Sequence, residues 1–214
     1  MIRSFRTRQW WLVRHAPVAA SGKIYGHLDL PANFSDSNRV AELASALSPD
    51  CFFISSDLAR CRETARLILM RQNAQNISVR ESYSLREQNF GLWEGKTHEE
   101  VEGIDPVYYE KFWQNPSKNR PEGGESFSDV VSRVRSEINS LQNMPDERDI
   151  VMVTHAGVIR ATVGIALGIA PENMLALTVA PLSLTHLTSF WDGEETKWQV
   201  NFLNNTGCAP CVGG

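Results

Sequence analysis

Two segments far apart in the chain share one form. Trp10-Trp11-Leu12-Val13-Arg14-His15-Ala16 is an apolar run that ends in a polar residue followed by His-Ala. Ile150-Val151-Met152-Val153-Thr154-His155-Ala156-Gly157 repeats the arrangement. Each run has the length and the β-branched or aromatic bias of a buried parallel strand. Each sets a histidine where such a strand ends. Open α/β sheets bind ligands at the carboxyl ends of their strands. Two imidazoles delivered there, one beside an arginine, point to chemistry on an anion rather than to core packing.

The rest of the pattern alternates helix and strand. The first strand is expected over residues 9–14, followed by a Gly- and Pro-containing loop to about Asn33. Ser35-Asp36 can cap a helix carrying Val40, Leu43, Ala44 and Leu47. A second strand at Cys51-Phe52-Phe53-Ile54 leads through Ser55-Ser56 to a helix from about Leu58 to Gln72. A short third strand falls at 77–79. Gly123-Gly124 opens a long helix from Ser126 to about Asn143, with apolar residues on one face. The fourth strand is 149–153, followed by a helix over 157–168. Two final strands fall at 182–190 and 197–203. The pattern predicts an α/β fold, a three-layer α/β/α sandwich on a mostly parallel central sheet.

Between Glu81 and Arg120 the character changes. Trp93, Tyr108, Tyr109, Phe112 and Trp113 stand among Gly, Glu and Lys, and Thr97 with Glu100 has capping-box spacing. This stretch reads as short helices folded over the strand ends. Its aromatic group fits a substrate cavity and a small core of its own equally well.

A length of 214 residues suits one α/β domain, and 42% apolar with 21% charged residues is ordinary for a globular chain. A net charge of −4 argues against nucleic-acid partners, while a few local arginines still suffice for an isolated phosphate pocket. No apolar stretch approaches the ~20 residues of a membrane span. Arg3, Arg6 and Arg8 precede the first strand, leaving no room for the ~7–15-residue core of a signal peptide, so a cytoplasmic protein without membrane partners is expected. A homodimer is compatible with such a chain. Cys208-Ala-Pro-Cys211 has no second Cys or His pair near it, so it reads as a tail rather than a metal site.

The predicted strand ends carry the chemistry. The first delivers Arg14 and His15, the second Ser55-Ser56-Asp57-Leu58-Ala59-Arg60, and the fourth His155 before a helix. Leu85-Arg86-Glu87 follows the third, with Gly91-Leu92-Trp93-Glu94-Gly95 close behind. Arginine forks match phosphate oxygens, helix N-termini add free amides, and a glutamate can move a proton.

Taken with Gly123-Gly124-Glu125-Ser126, these segments over roughly residues 9–190 resemble, in order, the histidine phosphatase superfamily, the phosphoglycerate mutase-like clan. The resemblance implies a phosphoglycerate mutase-like fold over residues 1–204, with 81–124 inserted above the active site and 205–214 as a tail. It implies that His15 is the nucleophile, accepting the phosphoryl group as phosphohistidine. Arg14, Arg60, His155 and Ala156 correspond to the pocket that binds the phosphoryl oxygens and stabilises charge in transfer. Glu87 corresponds to the general acid. No metal or other cofactor is implied, and the partner is a small phosphorylated substrate.

Two departures stand out. Ala16 replaces the family's glycine after Arg-His, which a small methyl permits unless the backbone needs positive φ. Gly26-His27-Leu28-Asp29-Leu30-Pro31 matches half of the next family segment, but residues 32–37 do not match the rest. Glu94 is expected to be structural, His98 exposed, His27 a solvated loop residue, and His186 to face solvent or a neighbouring strand. The Arg-His-Ala-Pro start with Tyr25-Gly26 and Asp29 is similar to α-ribazole phosphatases. The expected activity is metal-independent phosphomonoester hydrolysis. Its rivals are a mutase-type phosphotransferase and a non-catalytic phospho-ligand binder. A mutase needs further basic residues between Glu87 and Gly124, where only Lys96, Lys111, Lys118 and Arg120 stand among several acids.

Overall fold

The computed structural model describes residues 6–20 and 22–207. Cys208 and Cys211 lie outside them. The elements in chain order are β1 (Arg6–Arg14), α1 (Ser37–Ala46), β2 (Phe52–Ser56), α2 (Ala59–Arg71), β3 (Arg80–Ser82), α3 (His98–Ile104), α4 (Pro106–Gln114), α5 (Phe127–Gln142), β4 (Ile150–Thr154), α6 (Ala156–Leu167), α7 (Pro171–Met174), β5 (Leu184–Trp191) and β6 (Thr196–Asn205). None of the helices among the described residues is long and apolar enough to cross a membrane.

The six strands form one sheet in the order β3-β2-β4-β1-β5-β6. The pairs β3–β2, β2–β4 and β4–β1 are parallel. The pairs β1–β5 and β5–β6 are antiparallel. The sheet is therefore mixed, with its parallel half made by the strands that carry the motifs.

Alternation along β4 divides two cores. Ile150 and Met152 join Trp10, Leu12 and Ile54 under α5 and α6. Val151 and Val153 join Val13 and Phe53 under α1 and α2. Successive side chains of a strand point to opposite faces, so a strand that is apolar at every position needs helices on both sides. That is the three-layer α/β/α sandwich expected above.

The caps follow local chemistry. Asp36 accepts from Arg39 N at the start of α1. Thr97 with Glu100, and Ser126 with Asp129, close capping boxes on α3 and α5. The N-terminus of α2 is capped from a distance instead: Ala59 N donates to both carboxylate oxygens of Asp29, at 3.0 and 2.9 Å.

Two boundaries differ from expectation. β1 begins at Arg6, not residue 9, because Arg6, Thr7 and Arg8 pair with Trp191, Phe190 and Ser189. Arg8 is buried and donates to Leu141 O in the last turn of α5, where free carbonyls favour a cation, and to Asp146 O in the loop beyond it. The third strand is Arg80–Ser82 rather than 77–79. Ile77 and Val79 pack on the core beside α2, and the pairing with Ile54, Ser55 and Ser56 falls to the polar residues that follow.

Candidate active site

The parallel register Arg14↔Thr154 ends β1 and β4 level with each other. The residues that follow are His15 and His155, and their rings meet edge to face with centroids 5.0 Å apart. Both are buried. His15 Nδ1 lies 2.6 Å from Ala16 O. A carbonyl can only accept, so Nδ1 carries the hydrogen and Nε2 keeps its lone pair. Burial, then Arg60 and Arg14, hold the His15 imidazole down to about 3, so it is neutral near pH 7. His155 is likewise held well below its ordinary range, by burial first and then by His15 and Arg60. Its Nε2 lies 2.9 Å from Ser56 Oγ and 3.3 Å from Cys61 Sγ.

This burial has a cost in acid. An unfolded histidine titrates near 6.5, so below that pH the unfolded chain takes up a proton that folded His15 refuses. Stability is thus complete above about pH 6.5 and falls as pH drops towards about 3. From pH 6.5 to 5 the loss from His15 is on the order of 2 kcal/mol. Urea unfolding of wild type and His15→Asn at pH 7 and pH 5 checks this. An equal pH dependence in the two proteins contradicts it.

Ala16 is buried, and its N–H donates to Thr64 Oγ1 at 3.1 Å. Ala16 is not among the positive-φ residues, so the methyl in place of glycine meets no backbone strain.

Arg60 is 0% exposed. Its Nη1 donates to Leu28 O at 3.0 Å and its Nη2 to Gly26 O at 2.6 Å. Arg14 Nη1 donates to Val179 O at 2.6 Å. The Nε atoms of both are buried with no partner among the described residues, which leaves each guanidinium a donor to offer an anion.

Glu87 reaches the N-terminus of α6. Gly157 N lies 3.1 and 3.2 Å from its two carboxylate oxygens, and Gln88 N donates to Oε1 at 3.0 Å. A Cβ on Gly157 would fall 2.2 Å from Glu87 Oε1, so only glycine leaves that carboxylate its place. Arg133, on α5, holds the main chain on either side of this contact. It donates to Ser84 O at 2.8 Å and to Glu87 O at 3.0 Å. The same guanidinium pairs with Glu125 at 2.9 Å, and Glu125 accepts from Asn89 N at 3.0 Å. Arg86 is turned away and forms a bidentate pair with Asp57 at 2.8 and 2.6 Å.

A cavity of about 330 Å3 opens beside these groups. Among the residues predicted for the site, Arg14, Glu87 and Ala156 line it. His15, Arg60 and His155 are not among its lining residues and lie buried at the strand ends. Gly157 and Arg160 join the lining from α6, and Lys23 and Tyr25 join it from the loop after β1. Lys23, Arg160 and Arg133 stand in no motif, whereas Ser56 belongs to the segment at the end of β2. Arg160 falls one helical turn after Gly157 and was legible by that spacing; Lys23 and Arg133 arrive through tertiary contacts.

The remaining expectations divide. Glu94 is structural: it accepts from His27 N at 2.7 Å, from Phe90 N at 3.0 Å and from Leu28 N. His98 is exposed. His27 is half-buried rather than solvated, because its Nε2 donates to Glu87 O at 3.1 Å. His186 faces the neighbouring strand, stacked on Trp11 with centroids 3.7 Å apart.

Residues 10–206 match the histidine phosphatase superfamily (branch 1). The chain belongs to that superfamily. Phosphoglycerate mutase-like protein 4 of Arabidopsis thaliana is 33% identical over 156 residues, covering 70% of this chain and 67% of its own. An adenosylcobalamin/alpha-ribazole phosphatase of Salmonella typhimurium is 31% identical over 156 residues, 70% of this chain and 74% of its own. The structure of a mycobacterial glucosyl-3-phosphoglycerate phosphatase superposes with a TM-score of 0.79 at 27% identity, covering 94% of this chain and 100% of the other. With phosphatases such as these among its relatives, this histidine phosphatase is a phosphoric monoester hydrolase of phosphoglycerate mutase-like fold.

Proposed function

We propose that the chain hydrolyses a small phosphorylated metabolite, without a metal, through a phosphohistidine on His15. The observation that carries this reading is the His15 ring itself. It is neutral, its Nδ1–H is tied to Ala16 O, and its Nε2 lone pair is free beside two guanidiniums. In the first step Nε2 attacks phosphorus and the P–O bond to the alcohol breaks. Glu87 gives its proton to the departing oxygen. Arg14, Arg60, His155 and the N-terminal amide of α6 at Ala156 stabilise the phosphoryl oxygens. In the second step water attacks phosphorus, Glu87 takes the water's proton, and the P–N bond breaks. Inorganic phosphate leaves and His15 returns to its neutral form.

Hydrolysis is the reading that the relatives named as phosphatases support over mutase-type transfer. Lys111, Lys118 and Arg120 line a separate cavity with Tyr108, and Lys96 Nζ is engaged by Leu92 O. None of these lines the cavity beside Glu87, where the added cations are Lys23 and Arg160. The superfamily relatives named as phosphatases act on phosphorylated small molecules, and a cavity of about 330 Å3 suits a leaving group of that scale.

Rapid mixing with a 32P-labelled monoester, quenched in alkali, tests the pathway. Label on the peptide that contains His15, stable in base and lost in acid, is the expected result. Steady turnover with no labelled protein on the turnover timescale overturns the phosphohistidine.

A further inference from the structure

We propose that the leaving alcohol of the substrate carries a ring, and that Trp113 is the surface that receives it. This rests on the phosphomonoesterase reading and adds the class of ester. The stretch between β3 and α5 has a small core in which Trp93, Val101 and Phe112 are buried together with Ile24 of the loop after β1, with Phe90, Tyr108 and Tyr109 packed around them. Trp113 stands outside that core and is 48% exposed. It is nevertheless fixed in direction. Phe112, His98 and Tyr109 contact it, with ring centroids at 5.1, 5.8 and 6.0 Å. His98 is held in turn by Tyr109, whose hydroxyl lies 3.1 Å from its Nδ1.

Trp113 and His98 line the same cavity as Arg14, Glu87 and Gly157. A phosphoryl group held at the strand ends sends its alcohol past Glu87 into this space. The wall it meets there includes an indole held among three rings and half exposed. Aromatic faces favour the flat or C–H-bearing face of another ring over a short polar chain. Trp93 also lines this cavity but is buried, whereas Trp113 is half exposed.

The test compares ethyl phosphate with 2-phenylethyl phosphate. Both release a primary alcohol, so the chemical step is alike and the ring is the difference. In the wild type, the ring-bearing ester is expected to have a kcat/KM at least about tenfold higher, mainly through KM. Trp113→Ala should remove most of that preference by raising KM for the ring-bearing ester more than for the ethyl ester. Trp113→Phe should restore it. Ethyl phosphate turned over as efficiently as the ring-bearing ester by the wild type overturns the ring site alone. So does a preference that survives Trp113→Ala. Failure to hydrolyse either ester overturns the phosphomonoesterase reading and the ring site with it.

Discussion

His15→Ala is expected to lower the hydrolysis of p-nitrophenyl phosphate on the order of 10^4-fold or more, almost entirely in kcat. The reason is specific to this site. Arg14, Arg60 and the start of α6 remain, so phosphate binding survives. What is lost is the one neutral nitrogen whose lone pair is freed by its neighbour's bond to Ala16 O. The second imidazole is no substitute, because the Nε2 of His155 is engaged by Ser56 Oγ and Cys61 Sγ. Phosphate should therefore still inhibit the residual activity, and added imidazole should recover part of the rate. Excess EDTA should leave the wild-type rate unchanged. A variant that keeps its kcat would remove His15 from the mechanism.

The second large effect depends on the leaving group. Glu87→Gln should slow ethyl phosphate by about 10^2- to 10^4-fold and p-nitrophenyl phosphate by less than about tenfold. A phenolate departs without a proton, whereas an alkoxide does not. Glutamine keeps the size of the side chain and can still accept from Gly157 N, so the difference isolates the proton. Steady-state rates on the two esters decide it, and equal slowing would assign the acid to another group. The clamp around Glu87 extends the argument. Arg133→Met removes the donors to Ser84 O and Glu87 O, and Gly157→Ala sets a methyl against the carboxylate. Each should reproduce the same selective loss on the alkyl ester. A general loosening of the fold would slow both esters alike.

Much of this molecule was written in local pattern. The unbroken apolar runs before His15 and His155 required strands covered on both faces, and burial along β4 is complete. Asp36, Thr97 with Glu100, and Ser126 announced helix starts because a cap is a contact between residues three apart. The ordered segments around Arg14, Arg60, Glu87 and His155 were enough to name a superfamily. Where pattern misled, a partner distant in sequence was responsible. Arg6, Thr7 and Arg8 look like a polar lead-in, yet β5 pairs with them and the end of α5 takes the Arg8 guanidinium. Ile77 and Val79 look like a strand, yet the ladder with β2 begins just after them. The aromatic residues between Trp93 and Trp113 had two equal readings. Packing met both readings, since Trp93 and Phe112 are buried in the small core and also line the cavity, as does the half-exposed Trp113.

The sequence by itself determined that two histidines would stand at the rim of an α/β sheet with arginines nearby. Hydrophobic periodicity and strand length are local properties, and they fix where a strand must end. Only the tertiary structure decided that β1 and β4 are neighbours in register, so that the two rings meet 5.0 Å apart. It also decided that His15 is neutral, since its proton is refused by burial and by Arg60, a residue of α2. Both outcomes depend on distances between groups remote in the chain, and electrostatics and desolvation act through those distances rather than through sequence order.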